Sequence, residues 1–335
     1  MMRLPSAGAV RIPRTNVVRV PFGRVPTAPG VGVPAPRLDA PVAPAAPGRP
    51  ATAPPLATNP WLPTAPCSPR ACVQSRGPRA VWPLAVLRVV TVTVLVALGV
   101  ALTSLVGRAP VARRDRLVRA WCRAIVRSAG VRVRITGAAP PSGGLLLVAN
   151  HISWLDIPLL AAVRPARMLA KTEVRAWPVA GPAAARGGTL FIERDRLRAL
   201  PDTVATIADA LRAGAAVAVF PEGSTWCGRA QGHFRRAVFQ AAIDAGVPVQ
   251  PVRVHYRSVD GAASTVPAFV GDDSLVASLW RVASARGLVA EVEVRSTLGA
   301  RCHEDRRALA HAAQQEASDT GTDHGGLWPE AVTHP

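Results

Sequence analysis

A histidine and an aspartate stand five positions apart in the stretch Asn150–Leu160, NHISWLDIPLL, directly after the apolar run GLLLVA. An imidazole oriented by a carboxylate is a general-base arrangement: the carboxylate holds one ring nitrogen, and the other is free to remove a proton. On a single helix the two residues would lie about 140° apart around the axis and could not face each other. They converge only if His151 sits in a loop after a strand and Asp156 in the first turn of the following helix. Ser153 reads as an N-cap with Asp156 three residues on, and Pro158 is tolerated near a helix start. The plainer reading of this stretch is that Asp156 only caps that helix and His151 is a loop residue.

Three further segments follow in order: GGTLFIERDR at Gly187–Arg196, VAVFPEGSTWCG at Val217–Gly228 and GVPVQPVRVHY at Gly246–Tyr256. Taken singly, they read as a strand end, a strand-to-turn junction and a proline-interrupted edge strand. Together with NHISWLD they resemble the four sequence blocks of the glycerolipid acyltransferases, the 1-acylglycerol-3-phosphate O-acyltransferases. His151 and Asp156 match the histidine–four residues–aspartate block, and GTLFIER (Gly188–Arg194) matches the second. FPEGS (Phe220–Ser224) matches the third and VPVQPV (Val247–Val252) the fourth, so the resemblance covers residues 130 to 300.

This resemblance implies transfer of a fatty acyl group from acyl-CoA or acyl carrier protein to the free hydroxyl of 1-acylglycerol-3-phosphate, giving phosphatidic acid. His151 would be the base and Asp156 its orienter. Lys171 and Arg194 would hold the acceptor phosphate, and Gly188, Thr189, Phe220, Glu222, Gly223 and Ser224 would contribute to substrate binding. The acyl thioester is a co-substrate, and no cofactor or metal is implied. Another lysolipid acceptor, such as a lyso-ornithine lipid, and an inactive membrane scaffold are the alternatives. A serine hydrolase would need a Gly-X-Ser-X-Gly elbow, which is absent. A metal site built on His151, Asp156 and Glu222 would need a second histidine at ligand spacing.

The elements that must position these residues follow from periodicity. From Val131 onward, short apolar runs alternate with helical stretches. Strands are expected at 131–135, 144–149, 166–170, 188–192, 215–220, 247–255 and 289–295, and helices at 154–163, 197–213, 233–245, 273–286 and 303–317. This alternation predicts an α/β domain over 131–317, with a mixed, largely parallel sheet flanked by helices. The tail 318–335 reads as flexible.

An N-terminal helical region, 81–130, is expected to anchor that domain to a membrane. Val89–Val106 runs without a charge, and a helix of 18 residues covers about 27 Å, close to a hydrocarbon core of roughly 30 Å. Arginines flank it on both sides, so charge gives no orientation. A span, a re-entrant or in-plane anchor with both ends cytoplasmic, and a buried core helix all remain open. Residues 111–129 form a basic amphipathic helix suited to lipid headgroups, or else an ordinary surface helix.

The first 80 residues hold 18 prolines and a single acid, Asp39, and no periodicity persists, so they are expected to be disordered. Net charge is +19, but of the 40 basic residues only Lys171 is a lysine, which points to a coding bias toward arginine. With 4% aromatic residues and no nucleic-acid-binding motif, the charge favours membrane lipids over nucleic acid as partner. The expected location is a membrane, with the site on its cytoplasmic face. Five cysteines show no metal-ligand spacing, and Cys67 and Cys72 have no second pair in sequence. This odd, scattered set predicts a reducing compartment without structural disulfides.

Overall fold

Leu145–Ala149 forms β2, a strand buried on both faces, which is why its sequence is an unbroken apolar run and does not alternate. Leu145, Leu147 and Ala149 pack into one core cluster with residues of the helices on that side. Leu146 and Val148 pack into a second cluster on the opposite face. Each fully buried leucine here contributes about 1.5–3 kcal/mol of transfer free energy. The protein is described here from a computed structural model covering residues 65–74, 80–140, 142–176, 180–193 and 197–318. The expectations for residues 1–64 and 319–335, and that for Arg194, lie outside these residues.

The described chain opens with α1 (Pro69–Cys72), α2 (Trp82–Gly107) and α3 (Val111–Ser128), then β1 (Val131–Thr136) and β2. Next come α4 (Asp156–Val163), β3 (Arg167–Lys171), α5 (Ala180–Arg186) and β4 (Leu190–Ile192). The remainder is α6 (Leu200–Arg212), β5 (Ala216–Val219), α7 (Ala237–Ala245), β6 (Val249–Ser258), α8 (Leu275–Ser284), β7 (Leu288–Val294) and α9 (Arg306–Ser318). The seven strands form one sheet in the order β1-β7-β6-β2-β5-β3-β4. β6 and β7 are antiparallel and every other neighbouring pair is parallel, so five strands run one way and β1 and β7 the other. The sheet is mixed and largely parallel, as the alternating pattern predicts.

One face of the sheet carries α4 with contributions from α2, α3 and α8; the other carries α6, α7 and α9. This topology brings the carboxyl ends of β2, β5, β3, β4 and β6 to one edge, the usual location of sites in open α/β sheets. Ala149, the last residue of β2, is paired with Val252 of β6. β6 continues past this point, so Tyr256 lies four residues, about 13 Å, beyond the end of β2.

Several boundaries differ from the sequence expectation, for identifiable reasons. The helix expected at 233–245 begins only at Ala237, because the Gly232 and Arg235 amides are committed to Glu222 and to the Pro221 carbonyl. The segment 188–192 contributes a strand only from Leu190, because Thr189 and Gly188 close the end of α5 through the Ala184 and Ala185 carbonyls. α5 itself, AGPAAAR, has no apolar stripe that periodicity could detect. Residues 65–74 fall within the stretch expected to be disordered, yet they form α1 and pack against the domain.

α2 is longer than the charge-free run, reaching from Trp82 to Gly107, and is long and apolar enough to cross a membrane. Only Ala85 and Val92 of this helix are buried, while Leu87, Val90, Val94, Leu98 and Leu105 are exposed. Its first turns are docked on the domain. Arg88 Nη1 donates to the Ala283 and Ala285 carbonyls, each at 2.8 Å, at the end of α8.

Candidate active site

Asn150 begins the site by fixing the chain as it leaves β2. Its side-chain amide donates to the Val254 carbonyl at 2.9 Å and accepts from the Val254 amide at 2.8 Å, so the exit loop is clamped to β6. His151 Nδ1 then lies 2.9 Å from Asp156 Oδ2. The same oxygen accepts from the Ile152 amide at 2.6 Å and the Ser153 amide at 2.8 Å, and Oδ1 accepts from the Tyr256 hydroxyl at 2.6 Å. Asp156 is fully buried. Four donors converging on one buried carboxylate offset its desolvation. An ionised carboxylate only accepts, so Nδ1 carries the proton and Nε2 presents its lone pair.

The expected N-cap role of Ser153 is not what the structure shows. The helix starts at Asp156, and the Asp156 side chain reaches back to the Ile152 and Ser153 amides while Ser153 Oγ accepts from the Leu155 amide at 3.3 Å. Asp156 therefore serves both readings weighed from sequence. It ties off the helix start, and it also holds the imidazole.

The second wall of the site comes from the loop after β5. The Phe220 ring stacks on the His151 imidazole with centroids 3.8 Å apart and planes 9° from parallel, which fixes the plane of the ring. Glu222 is 3% exposed, with Oε2 accepting from the His151 amide at 2.8 Å and Oε1 from the Gly232 amide at 3.2 Å. Both of its oxygens thereby brace the backbone around the His151 loop. Burial pushes its carboxyl up to about 8, against the two amide donors, which favour the charged form. The Trp226 amide donates to the His151 carbonyl at 2.8 Å and the Phe269 amide to the Ile152 carbonyl at 2.9 Å, so three separate segments hold the loop.

An imidazole oriented in this way at the edge of a parallel sheet admits several chemistries, and relatives narrow them. The Acyltransferase family model matches residues 130–255. A lyso-ornithine lipid O-acyltransferase of Pseudomonas aeruginosa is 38% identical over 230 residues, covering 66% of this chain and 87% of that protein. The chain belongs to the glycerolipid and lysolipid acyltransferase family. A 1-acyl-sn-glycerol-3-phosphate acyltransferase of Neisseria meningitidis is 34% identical over 197 residues, covering 58% of this chain and 77% of that one. The crystal structure of the acyltransferase PlsC from Thermotoga maritima superposes with a TM-score of 0.52 at 17% identity, over 70% of this chain and 94% of that one, and shares the fold.

The remaining expected residues of the acyltransferase are distributed along the same edge. Lys171 ends β3, exposed, with its strand two spacings, about 10 Å, from that of His151. Gly188 has φ +71°, a left-handed conformation that closes α5, and its carbonyl accepts from Arg167 Nε at 2.7 Å. Thr189 is the next residue, leading into β4. Gly223 closes a turn through its amide to the Phe220 carbonyl at 3.1 Å. Ser224 Oγ is shielded from solvent with no hydrogen-bond partner among the described residues. Sequence reasoning did not single out Asn150, Trp226, Phe269 or Tyr256. For Tyr256 a signal existed, since it is the single tyrosine of the chain.

Proposed function

We propose that this protein transfers a fatty acyl group from acyl-CoA or acyl carrier protein to the free hydroxyl of 1-acylglycerol-3-phosphate, giving phosphatidic acid. The observation that carries the reading is the contact between His151 Nδ1 and the buried Asp156 carboxylate, which leaves Nε2 available as a base. The acceptor hydroxyl gives its proton to Nε2 as its oxygen bonds to the thioester carbonyl carbon. The C–S bond then breaks, and the thiolate takes the proton from the imidazolium. No electrons are exchanged, and the products are an ester and a free thiol. Asp156 stabilises the imidazolium between the two steps, and the stacked Phe220 ring and the Glu222 brace keep Nε2 aimed at one point.

Lys171 and Arg194 are assigned to the acceptor phosphate, with the Ser224 hydroxyl available to a polar atom of either substrate. The exposed apolar surface of α2 and the basic face of α3 supply the membrane attachment, with the site on the cytoplasmic side where acyl thioesters are delivered. A second reading is acylation of a lyso-ornithine lipid, favoured by the 38% identity to the Pseudomonas aeruginosa enzyme of that name. One assay separates the two: purified protein is given radiolabelled acyl-CoA with lysophosphatidic acid, lyso-ornithine lipid or monoacylglycerol. Preferred labelling of phosphatidic acid supports the first reading. Labelling confined to ornithine lipid replaces it with the second, and no labelling of any lipid refutes both.

A further inference from the structure

Cys67 directly precedes Ser68, the N-cap of α1, and Cys72 ends that helix; the fold brings Cys227, from the loop beside the catalytic candidates, against both. The three sulfur atoms all lie within 4.8 Å of one another. Local structure explains the first pair. Ser68 caps α1 by accepting from the Ala71 amide, and the Cys72 amide bonds to the Ser68 carbonyl at 3.0 Å, so one helical turn carries Cys72 back over Cys67. Tertiary contacts explain the third. Gln74 and Thr265 exchange two hydrogen bonds, each 3.0 Å, which hold residues 65–74 on the domain. Cys67 and Cys227 are buried and Cys72 is half-buried.

We propose that Cys67, Cys72 and Cys227 form a binding site for one zinc-class divalent cation. Tetrahedral coordination with Zn–S bonds of about 2.3 Å places sulfurs about 3.8 Å apart, so the observed spacing closes with small rotamer changes. The three thiols become thiolates and release their protons, three metal–sulfur bonds form, and a water fills the fourth position. Nothing is oxidised or reduced. A disulfide would use two of the sulfurs and leave the third without a task, whereas a cation uses all three. The bound cation would fasten the segment that precedes α2 to Cys227, whose neighbour Trp226 donates its amide to the His151 carbonyl.

The test uses full-length protein purified in detergent under reductant, and its readouts do not depend on acyl transfer. Metal analysis is expected to find one zinc per chain. After chelation, cobalt(II) titration should produce a thiolate-to-cobalt absorption band that zinc abolishes. Because Cys72 is half-buried, Cys72→Ser is the least disruptive variant. It should weaken cobalt binding by at least about 100-fold, more than the loss of an outer-sphere partner usually costs. The exposed Cys302→Ser should leave binding unchanged. On the wild-type protein, zinc should shield three of the five thiols from alkylation. Absence of both zinc and a cobalt band, a band that survives Cys72→Ser, or a disulfide joining two of the three cysteines would each overturn the proposal.

Discussion

The Tyr256 hydroxyl donates to Asp156 Oδ1 at 2.6 Å, on the oxygen opposite the one that holds His151 at 2.9 Å. The tyrosine comes from β6 and the histidine from the loop after β2, so one carboxylate joins the overrun of one strand to the end of its neighbour. The phenol is buried, and burial beside the Asp156 charge holds it well above the ordinary tyrosine range, so it stays a donor.

Tyr256→Phe removes this donor and leaves a buried carboxylate oxygen short of a partner. Losing a hydrogen bond to a charged group costs about 1.5–3 kcal/mol, so the variant should unfold at clearly lower denaturant concentration. Its turnover should fall less than that of a variant lacking the base. Chemical denaturation and kcat measured on the same preparation check both parts.

His151→Ala should reduce turnover by about 10²–10⁴-fold while the protein still reaches the membrane fraction. Asp156→Asn should be strongly impaired as well, because an amide cannot accept from all four donors and does not stabilise an imidazolium. Near-normal turnover by His151→Ala would remove this residue from the base role.

The Glu222 carboxyl sits at about 8 in the fold against an ordinary value of 4.5. Between these values the folded protein keeps a proton that the unfolded chain has released. Rising pH therefore erodes stability across this window and adds no further loss from this group above it. Glu222→Gln cannot titrate, and one of its two backbone partnerships is lost, which gives a constant penalty. Thermal melts should show the variant gaining on wild type from about pH 5 to about pH 8 and then running parallel to it. A constant difference over the whole range would contradict this.

Arg194→Ala should weaken use of lysophosphatidic acid by about 10- to 150-fold, chiefly in acceptor affinity, the scale of one charge-assisted hydrogen bond. Arg194→Lys should restore only part of it, because an ammonium cannot reproduce the guanidinium fork. If the wild-type enzyme prefers a zwitterionic lysolipid and Arg194→Ala leaves this preference intact, the phosphate assignment fails.

Deleting residues 2–64 should leave activity and membrane attachment nearly unchanged. Deleting through Gln74 should destabilise the domain, since the paired hydrogen bonds to Thr265 and the buried Cys67 are lost. Deleting through Gly107 should release or aggregate it, because α2 goes too. Membrane flotation with activity in each fraction distinguishes the three cases.

The sequence by itself determined the α/β class and the apolar helix, and it placed His151 and Asp156 where a loop and a first helical turn could bring them together. Each of these rests on short-range periodicity or on residues within one loop and one helical turn. The buried run LLLVA and the histidine that follows it could be recognised without knowing what lies beside them. Tyr256, Glu222 and Asn150 were different, because each acts through a hydrogen bond to a residue 71 to 104 positions away, across neighbouring strands. Glu222 was visible in FPEGS as a carboxylate near the site, yet its burial and its two amide donors, from His151 and Gly232, came only with the fold. Cys67 and Cys72 showed no partner in linear spacing, and strand order together with the docking of residues 65–74 delivered Cys227 to them. Long-range contacts of this kind depend on which strands lie side by side, and that is decided by the packing of the whole sheet rather than by any local run of residues.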